Sequence, residues 1–260
     1  LNQRLQVLSY GGEDVPALVA SLRERAQALD LGKVFLKVRK DDAAAFGAAG
    51  LVTEAAIAGY FDGSDAAVMS LFVDPERRQR PHLDEEERIL RIIQGRPKDP
   101  SLPALPNGYF LRRASAADAP ELARLYRAVF ASYPFPITEP AYLRETMATH
   151  IVYRLVRDDR GEIVAAASAE TNPDYRSSEM TDFATLSSQR GLGLAQHLLA
   201  ALEEDMADCE ITNLHTVARA RSLGMNRVFF NRGYHLTGTL VNNCHIAGQF
   251  EDMHVWSKVL

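Results

Sequence analysis

The residues best suited to chemistry lie in one run, Thr181-Asp182-Phe183-Ala184-Thr185-Leu186-Ser187-Ser188-Gln189-Arg190-Gly191-Leu192-Gly193-Leu194-Ala195, which leads from a strand into the start of an amphipathic helix. Glycine at such a junction lets the backbone approach a ligand. The first-turn N–H groups of a helix have no partner within it, so the two features together suit a pyrophosphate. Glycine also occurs at strand-to-helix turns for steric reasons alone, and the run by itself leaves both readings open. Two other phosphate-binding patterns are missing: there is no Lys-Ser or Lys-Thr to complete a P-loop, and no βαβ unit with a ribose-binding acid surrounds the glycines. Cys209 and Cys244 are too few for a disulfide framework and lack zinc-ligand spacing. His150, His197, His215 and His235 also show no ligand spacing, so no metal site is expected.

These residues need a scaffold, and the chain divides at Gly95 to Gly108, where Pro97, Pro100, Pro103 and Pro106 recur at every third position and block both helix and sheet. The expected organisation is an N-terminal α/β domain over 1–95, a linker over 96–107 and a larger domain over 108–260. In the first domain, Val15 to Leu29 has helical spacing, Lys33 to Val38 alternates as a strand, and Asp41 to Ala49 reads as a short helix. Leu51 to Tyr60 and Ala66 to Val73 form two strands around an Asp62-Gly63 hairpin signal, and Leu83 to Gln94 suits a helix. Nothing in this domain resembles a catalytic constellation.

In the second domain, Gly108 to Arg113 reads as a strand, and Ser115, Asp118 and Pro120 begin a helix that runs to about Ala131. A helix capped by Thr138 follows, then strands at 151–157, 163–170 and 179–186, a helix to about Ala207, a strand at 211–217 and a helix at 221–231. Strands at 234–241 and 252–259 close the chain. The order β-α-α-β-β-β-α-β-α-β-β implies a mixed α/β sheet.

The 260 residues carry a formal net charge of −5, with 47% hydrophobic and 24% charged side chains, which excludes a disordered chain and suits a globular protein. Acids interspersed among the Lys and Arg residues argue against a nucleic-acid partner and favour a small cationic substrate. No apolar stretch reaches the roughly 18 residues of a membrane helix, and Leu1 to Tyr10 is unlike a secretory signal. A cytoplasmic location is expected from these features and the low cysteine count.

At Arg190-Gly191-Leu192-Gly193-Leu194-Ala195 the sequence resembles the GNAT superfamily of acyl-CoA-dependent N-acetyltransferases, whose signature is Arg or Gln, two residues, Gly, one residue, then Gly or Ala. The resemblance covers roughly Gly108 to Leu260. Ser222 to Tyr234 is similar to the superfamily's fourth helix and its closing Gly-aromatic pair. Thr181 to Leu186, Gly224-Met225-Asn226, Asn242 to Ile246 and Glu251 to Trp256 further resemble the beta-lysine N6-acetyltransferase family, which also carries an extra N-terminal domain. That family makes N-epsilon-acetyl-beta-lysine, a compatible solute, from acetyl-CoA and beta-lysine.

The resemblance implies direct acetyl transfer in a cleft where two parallel strands, 179–186 and 211–217, splay apart. Main-chain groups of the Phe183-Ala184-Thr185 stretch, chiefly Phe183 and Thr185, would pair with the pantetheine arm of acetyl-CoA. The N–H groups from Arg190 through Gly191, Leu192, Gly193 and Leu194 to Ala195 would hold the pyrophosphate, with the Arg190 side chain adding charge. A primary amine of reference pKa about 10.4 must lose a proton before attack. Candidate bases are Glu170, Glu179 and Asp182, with Asp182 preferred; strand alternation places Glu179 and Asp182 on opposite faces unless a bulge intervenes. The superfamily's usual tyrosine acid is replaced by Phe229, leaving Tyr234, Cys244 or solvent to protonate the thiolate. Asn242, Asn243, His245, Glu251 and Asp252 are candidate binders of the acceptor amine, each also readable as turn, surface or core. Other acceptors consistent with the resemblance are a different polyamine, an aminoglycoside or a protein amine. A non-catalytic acyl-CoA-binding module is the reading from another class.

Overall fold

The computed structural model describes residues 2–11, 14–246 and 248–260. The chain forms two sheets. The N-terminal one contains β1 (Arg4–Val7), β2 (Lys33–Arg39), β3 (Val52–Phe61) and β4 (Ser64–Phe72) in the order β1-β2-β4-β3. Helices α1 (Val15–Ala28) and α2 (Ala43–Ala48) pack on it, and α3 (Leu83–Gln94) leads out of it. Asp14 caps α1 by accepting from the Ala17 N–H, and Pro16 occupies the first turn, where its missing N–H costs nothing. Strand β1, absent from the sequence-based order, pairs in parallel with β2 along its whole length.

The second sheet has seven strands in the order β10-β11-β9-β8-β7-β6-β5. They are β5 (Phe110–Arg113), β6 (Ile151–Arg157), β7 (Ile163–Asn172), β8 (Ser177–Thr185), β9 (Asn213–Arg219), β10 (His235–Ile246) and β11 (Gln249–Val259). One face carries α6 (Leu194–Asp208) and α7 (Leu223–Asn231), which bury Met180, Leu198, Leu202, Leu214 and Trp256. The other carries α4 (Ala119–Val129) and α5 (Pro140–Thr149) over Tyr153, Leu155, Ala166 and Ala184. The mixed α/β architecture and its element order follow the sequence patterning. The last hairpin departs from it, because β10 continues to Ile246 and β11 starts at Gln249. Asn242, at φ +44°, sits in a wide irregularity where the pairing jumps from Leu240↔Met253 to Cys244↔Glu251.

The N-terminal sheet lies against the same face as α4, at the β9–β11 end. Phe35, Ile57, Phe61 and Val68 share one apolar core with Leu240, Cys244, Met253 and Val255. The backbones approach so closely that a Cβ on Gly238 would stand 2.1 Å from the Glu54 carbonyl oxygen, so only glycine fits there. A buried ion pair of Lys33 with Glu54 at 2.7 Å adds bonds to both main-chain groups of Val241, and burial lowers the Lys33 ammonium to about 8. Residues 96–106 have no regular structure, yet they are docked: Arg227 donates to the carbonyls of Ile93 and Pro97, and Leu105 packs on the second core.

Candidate active site

Strands β8 and β9 run parallel but pair only at Ser177↔Asn213, Ser178↔Leu214 and Glu179↔His215. Beyond that point β8 continues to Thr185 and β9 to Arg219 with an open wedge between them. The cause lies in β8. Its pairing to β7 jumps from Ala166↔Ala184 to Ser168↔Thr181, three residues against two, and Asp182 at φ +55° takes up the extra residue as a bulge. A bulge bends its strand and increases its twist, which swings the end of β8 away from β9. The Leu186 N–H donates to the Val164 carbonyl of the segment opening β7, so alternation turns the main-chain groups of Thr185 and Phe183 toward the wedge. Ala184, between them, faces the other way, paired with Ala166 and with its methyl in the core beneath α4.

At the end of β8 the chain makes a short 3-10 turn over Ser187–Gln189, tied to Tyr109 by a phenol-to-Gln189 hydrogen bond. Gly191 at φ +86° and Gly193 at φ +75° then set the approach to α6, with Gly193 as its N-cap residue. Among the described residues, no acceptor takes a bond from the N–H groups of residues 191–195. Leu194 is buried and anchors the turn, while Arg190 is exposed beside it. Unpartnered amides at the positive end of a helix dipole form an anion site.

Three carboxylates gather at the other end of the wedge. Glu170 and Glu179 are directly opposed across β7 and β8, so they share a face, and the bulge brings Asp182 to that face as well, where it accepts from Ser168 Oγ. The bulge that exempts Glu179 and Asp182 from strand alternation is thus present, and the two share a face. Asp182 is 6% exposed and has both oxygens engaged, Oδ1 by the Tyr133 hydroxyl and Oδ2 by Ser168, each at 2.6 Å. Burial raises its pKa, against the pull of those hydroxyl donors. Glu179 retains 28% side-chain exposure at the floor of the crevice. Burial raises its carboxyl too; Lys37 counters the rise, and Glu170 and Asp182 add to it. Glu170, also raised by burial and by Asp182, stands at the mouth with His150 Nε2 at 4.0 Å.

The partners of Glu179 come from β9 and from the N-terminal domain. His215 Nε2 is 3.8 Å and Lys37 Nζ 4.0 Å from its Oε2. Lys37 Nζ donates to His215 Nε2 at 3.2 Å and to the Tyr60 hydroxyl at 3.3 Å. His215 is buried, and burial followed by the Lys37 charge holds its pKa well below the usual histidine value. The N-terminal sheet therefore forms one wall of the site, although nothing in its sequence resembles a catalytic constellation. Lys37, Tyr60, Tyr133 and His215 were not found from the sequence because no local spacing links them. For His215 the one available signal was its place on the strand beside the splay.

The remaining residues singled out by sequence lie elsewhere. Tyr234 is fully buried behind Phe229, which stands edge-on to Phe183 at 5.5 Å and to Tyr234 at 5.2 Å. Burial and Glu203 push its phenol well above 10, and it does not reach the wedge. Glu251 is neutralised by Arg219 and Arg221, and Asp252 by Arg80 at 2.6 Å. Asn242 donates to the carbonyls of Arg77 and Gln79, and the main-chain N–H of His245 donates to Asn2. The Asn243 carbonyl accepts from Arg4, and its side chain is buried. These five residues weld the β10–β11 hairpin to its surroundings rather than line the crevice. Among the described residues no cluster of His, Cys, Asp or Glu is arranged to hold a metal ion, and no helix is long and apolar enough to cross a membrane.

Residues 119–232 match the acetyltransferase (GNAT) family. The chain is 36% identical over 259 residues to a beta-lysine N(6)-acetyltransferase of Methanococcus maripaludis, spanning 100% of this chain and 93% of that one. It is 34% identical over 265 residues to the N-acetyltransferase YodP of Bacillus subtilis, with the same 100% and 93% coverage. Among solved structures, the ribosomal-protein alpha-N-acetyltransferase RimL in complex with coenzyme A superposes with a TM-score of 0.50 at 16% identity, over 60% of this chain and 97% of that one.

Proposed function

The chain belongs to the GNAT family of acetyltransferases, in the branch that holds beta-lysine N(6)-acetyltransferases, and on that premise we propose that it transfers acetyl from acetyl-CoA to the terminal amine of beta-lysine. The observation that carries the reading is the wedge itself. It is open between β8 and β9, ends at the unpartnered amides of residues 191–195, and has acids at its opposite end. The pantetheine arm takes the place of the missing strand, bonding the main chain of Phe183 and Thr185. Arg190 and the amides through Ala195 hold the pyrophosphate. The thioester then lies near the bulge, and the acceptor enters from the side lined by Glu170, Glu179 and Tyr60. A protein with the same fold has been solved in complex with coenzyme A, which supports coenzyme A as the ligand.

Of the three acids, Glu179 suits the base best. It is reachable by solvent and makes no bond shorter than the 3.8 Å approach to His215, whereas both oxygens of Asp182 are held by hydroxyls. A raised carboxyl pKa moves it closer to that of the ammonium it must deprotonate. Glu170 at the mouth attracts the cationic acceptor, and Asp182 holds Tyr133 against the bulge. Glu179 takes a proton from the ammonium, the freed amine attacks the carbonyl carbon, and the C–S bond breaks as the tetrahedral nitrogen gives up its second proton to solvent. A thiol of reference pKa about 8.5 gives a thiolate stable enough to depart and take its proton from water, which accounts for phenylalanine at 229. Incubation of the protein with acetyl-CoA and a panel containing beta-lysine, spermidine, an aminoglycoside and a peptide amine, read by mass spectrometry, tests the reading. A 42-Da gain on the terminal nitrogen of beta-lysine is expected, by general chemistry of acetylation at about that mass. Turnover only with another amine would overturn the acceptor.

A further inference from the structure

Among the described residues, Lys37, the cation beside Glu179, has no carboxylate within hydrogen-bond distance, a feature that it shares with Arg4 and Arg77, which bond main-chain carbonyls and the Cys244 sulfur, and that sets it apart from the paired cations. Arg219 and Arg221 are neutralised by Glu251, Arg80 by Asp252 and Glu86, and Lys33 by Glu54. Both close partners of Lys37, His215 Nε2 and the Tyr60 hydroxyl, are uncharged acceptors, and the nearest carboxylate oxygen stands 4.0 Å away. An ammonium has three N–H donors, so the third has no hydrogen-bonded acceptor within this set. Lys37 is also held in place, with its ammonium 4.6 Å from the centre of the Tyr60 ring and its side chain 20% exposed.

Its partner is fixed by a chain of bonds that crosses the domain boundary. Asn213 Nδ2 donates to the Ala58 carbonyl of β3 at 2.6 Å, which turns Asn213 Oδ1 toward Ser177 Oγ at 2.9 Å and His215 Nδ1 at 3.2 Å. His215 therefore carries its proton on Nδ1 and presents the Nε2 lone pair to Lys37. A neutral histidine accepts from the lysine without cancelling its charge.

We propose that Lys37, supplied by the N-terminal domain, is the residue that reads the carboxylate of the acceptor and so selects a diamino acid over a plain diamine. The inference rests on the acceptor proposed above and adds the means of its recognition. Glu170 and Glu179 stand opposite each other across β7 and β8 with Lys37 beside Glu179, and the acceptor carries groups complementary to them, two ammonium groups and one carboxylate. A polyamine without a carboxylate meets the same acids but is repelled by Lys37, whose charge no bonded partner offsets. Specificity then comes from both an attraction to the right acceptor and a penalty on the wrong one.

The test compares kcat/KM for beta-lysine with that for pentane-1,4-diamine, which keeps the chain and both amines but lacks the carboxylate. Replacing a charge-assisted hydrogen bond should lower the preference for beta-lysine about tenfold to a hundredfold in Lys37→Gln, chiefly through KM. Lys37→Arg should retain most of the preference. An equal loss on both acceptors in Lys37→Gln, or an unmoved ratio, overturns the assignment, since a merely structural lysine affects both alike. Wild-type protein that acetylates the diamine but not beta-lysine overturns the proposed acceptor and this inference together. Turnover of beta-lysine with an unmoved ratio overturns only the role of Lys37.

Discussion

The two ends of the β8–β9 wedge are built by opposite means. At one end a contiguous turn, residues 191–195, offers main-chain N–H groups, and side-chain identity matters mainly where glycine takes a positive φ. At the other end Lys37, Tyr60, Glu170, Glu179, Asp182 and His215 converge from strands β2, β3, β7, β8 and β9. A site made of backbone is fixed by local conformation and suits a ligand shared by many enzymes. A site made of side chains drawn from two sheets can change its ligand without disturbing the first. That contrast predicts which substitutions should affect coenzyme binding and which should affect chemistry or acceptor choice.

The largest effect is expected at the backbone end. A Cβ on Gly193 meets only Gln196 Oε1, at 4.0 Å, so Gly193→Trp has room in the protein but fills the space before the free amides. Its φ of +75° adds strain of roughly 1 kcal/mol for a non-glycine residue, too little to unfold the domain. Acetyl-CoA affinity, measured by calorimetry, should fall by at least about a hundredfold while the circular dichroism spectrum is kept. Undiminished affinity would remove the pyrophosphate from this turn and erase the contrast between the two ends.

Next in size is Glu179→Gln, which should lower kcat by about 10²- to 10³-fold with acetyl-CoA affinity intact. The sign of the pH dependence follows from the raised carboxyl. The base works only when ionised, so activity is lost as pH falls through a limb above the ordinary glutamate range, and that limb should vanish in the glutamine variant. A retained limb would assign the proton transfer to another group.

The difference between the two ends also governs how much could be read from the sequence. Gly191 and Gly193, the helix behind them and the strand before them are neighbours in the chain, so periodicity and turn chemistry locate them without knowledge of the fold. The bulge at Asp182 has no such signal: its positive φ is set by pairing with β7, and one extra residue reverses the face of every side chain that follows. Lys37 and His215 are 178 residues apart and meet only because the N-terminal sheet docks on the second. Glu251 and Asp252 have the charge expected of an ammonium site, but whether an acid is free depends on which arginines reach it, and Arg80, Arg219 and Arg221 are brought to them by the fold.

Asp182→Asn should have a smaller effect on activity than Glu179→Gln. The amide keeps one acceptor oxygen and places an NH2 against a hydroxyl that can rotate to accept, at a cost of about 1 kcal/mol. Removing a negative neighbour lowers the pKa of Glu179, so the acid limb of the rate profile should move to lower pH, with kcat reduced only a few-fold, on the order of 1 kcal/mol in barrier. The stability signature has a definite sign. Asp182 has a folded-state pKa raised above its unfolded value, so the wild type loses stability as pH rises through that interval and the asparagine variant does not. The gap in melting temperature between them should therefore narrow as pH increases from the acid range toward neutrality. A gap that widens would mean that the carboxylate is stabilised in its ionised form.

The smallest effect on catalysis is expected at Glu251, although its charge and position near the last strand make it a natural candidate for the acceptor's ammonium. It is 2% exposed and lies between Arg219 and Arg221, with Gln249 donating to the same carboxylate. Glu251→Gln removes a charge that holds two partly exposed arginines, so thermal stability should fall by about 1–3 kcal/mol. The KM for the acceptor should move by less than about threefold, under 1 kcal/mol of binding. These two readouts separate a structural acid from a binding one, because an acid that holds the acceptor's ammonium would raise KM about tenfold or more and leave the melting temperature nearly unchanged. That second pattern would move the acceptor from the crevice at Glu179 to the β10–β11 hairpin, and with it the claim that side chains from both domains choose the substrate.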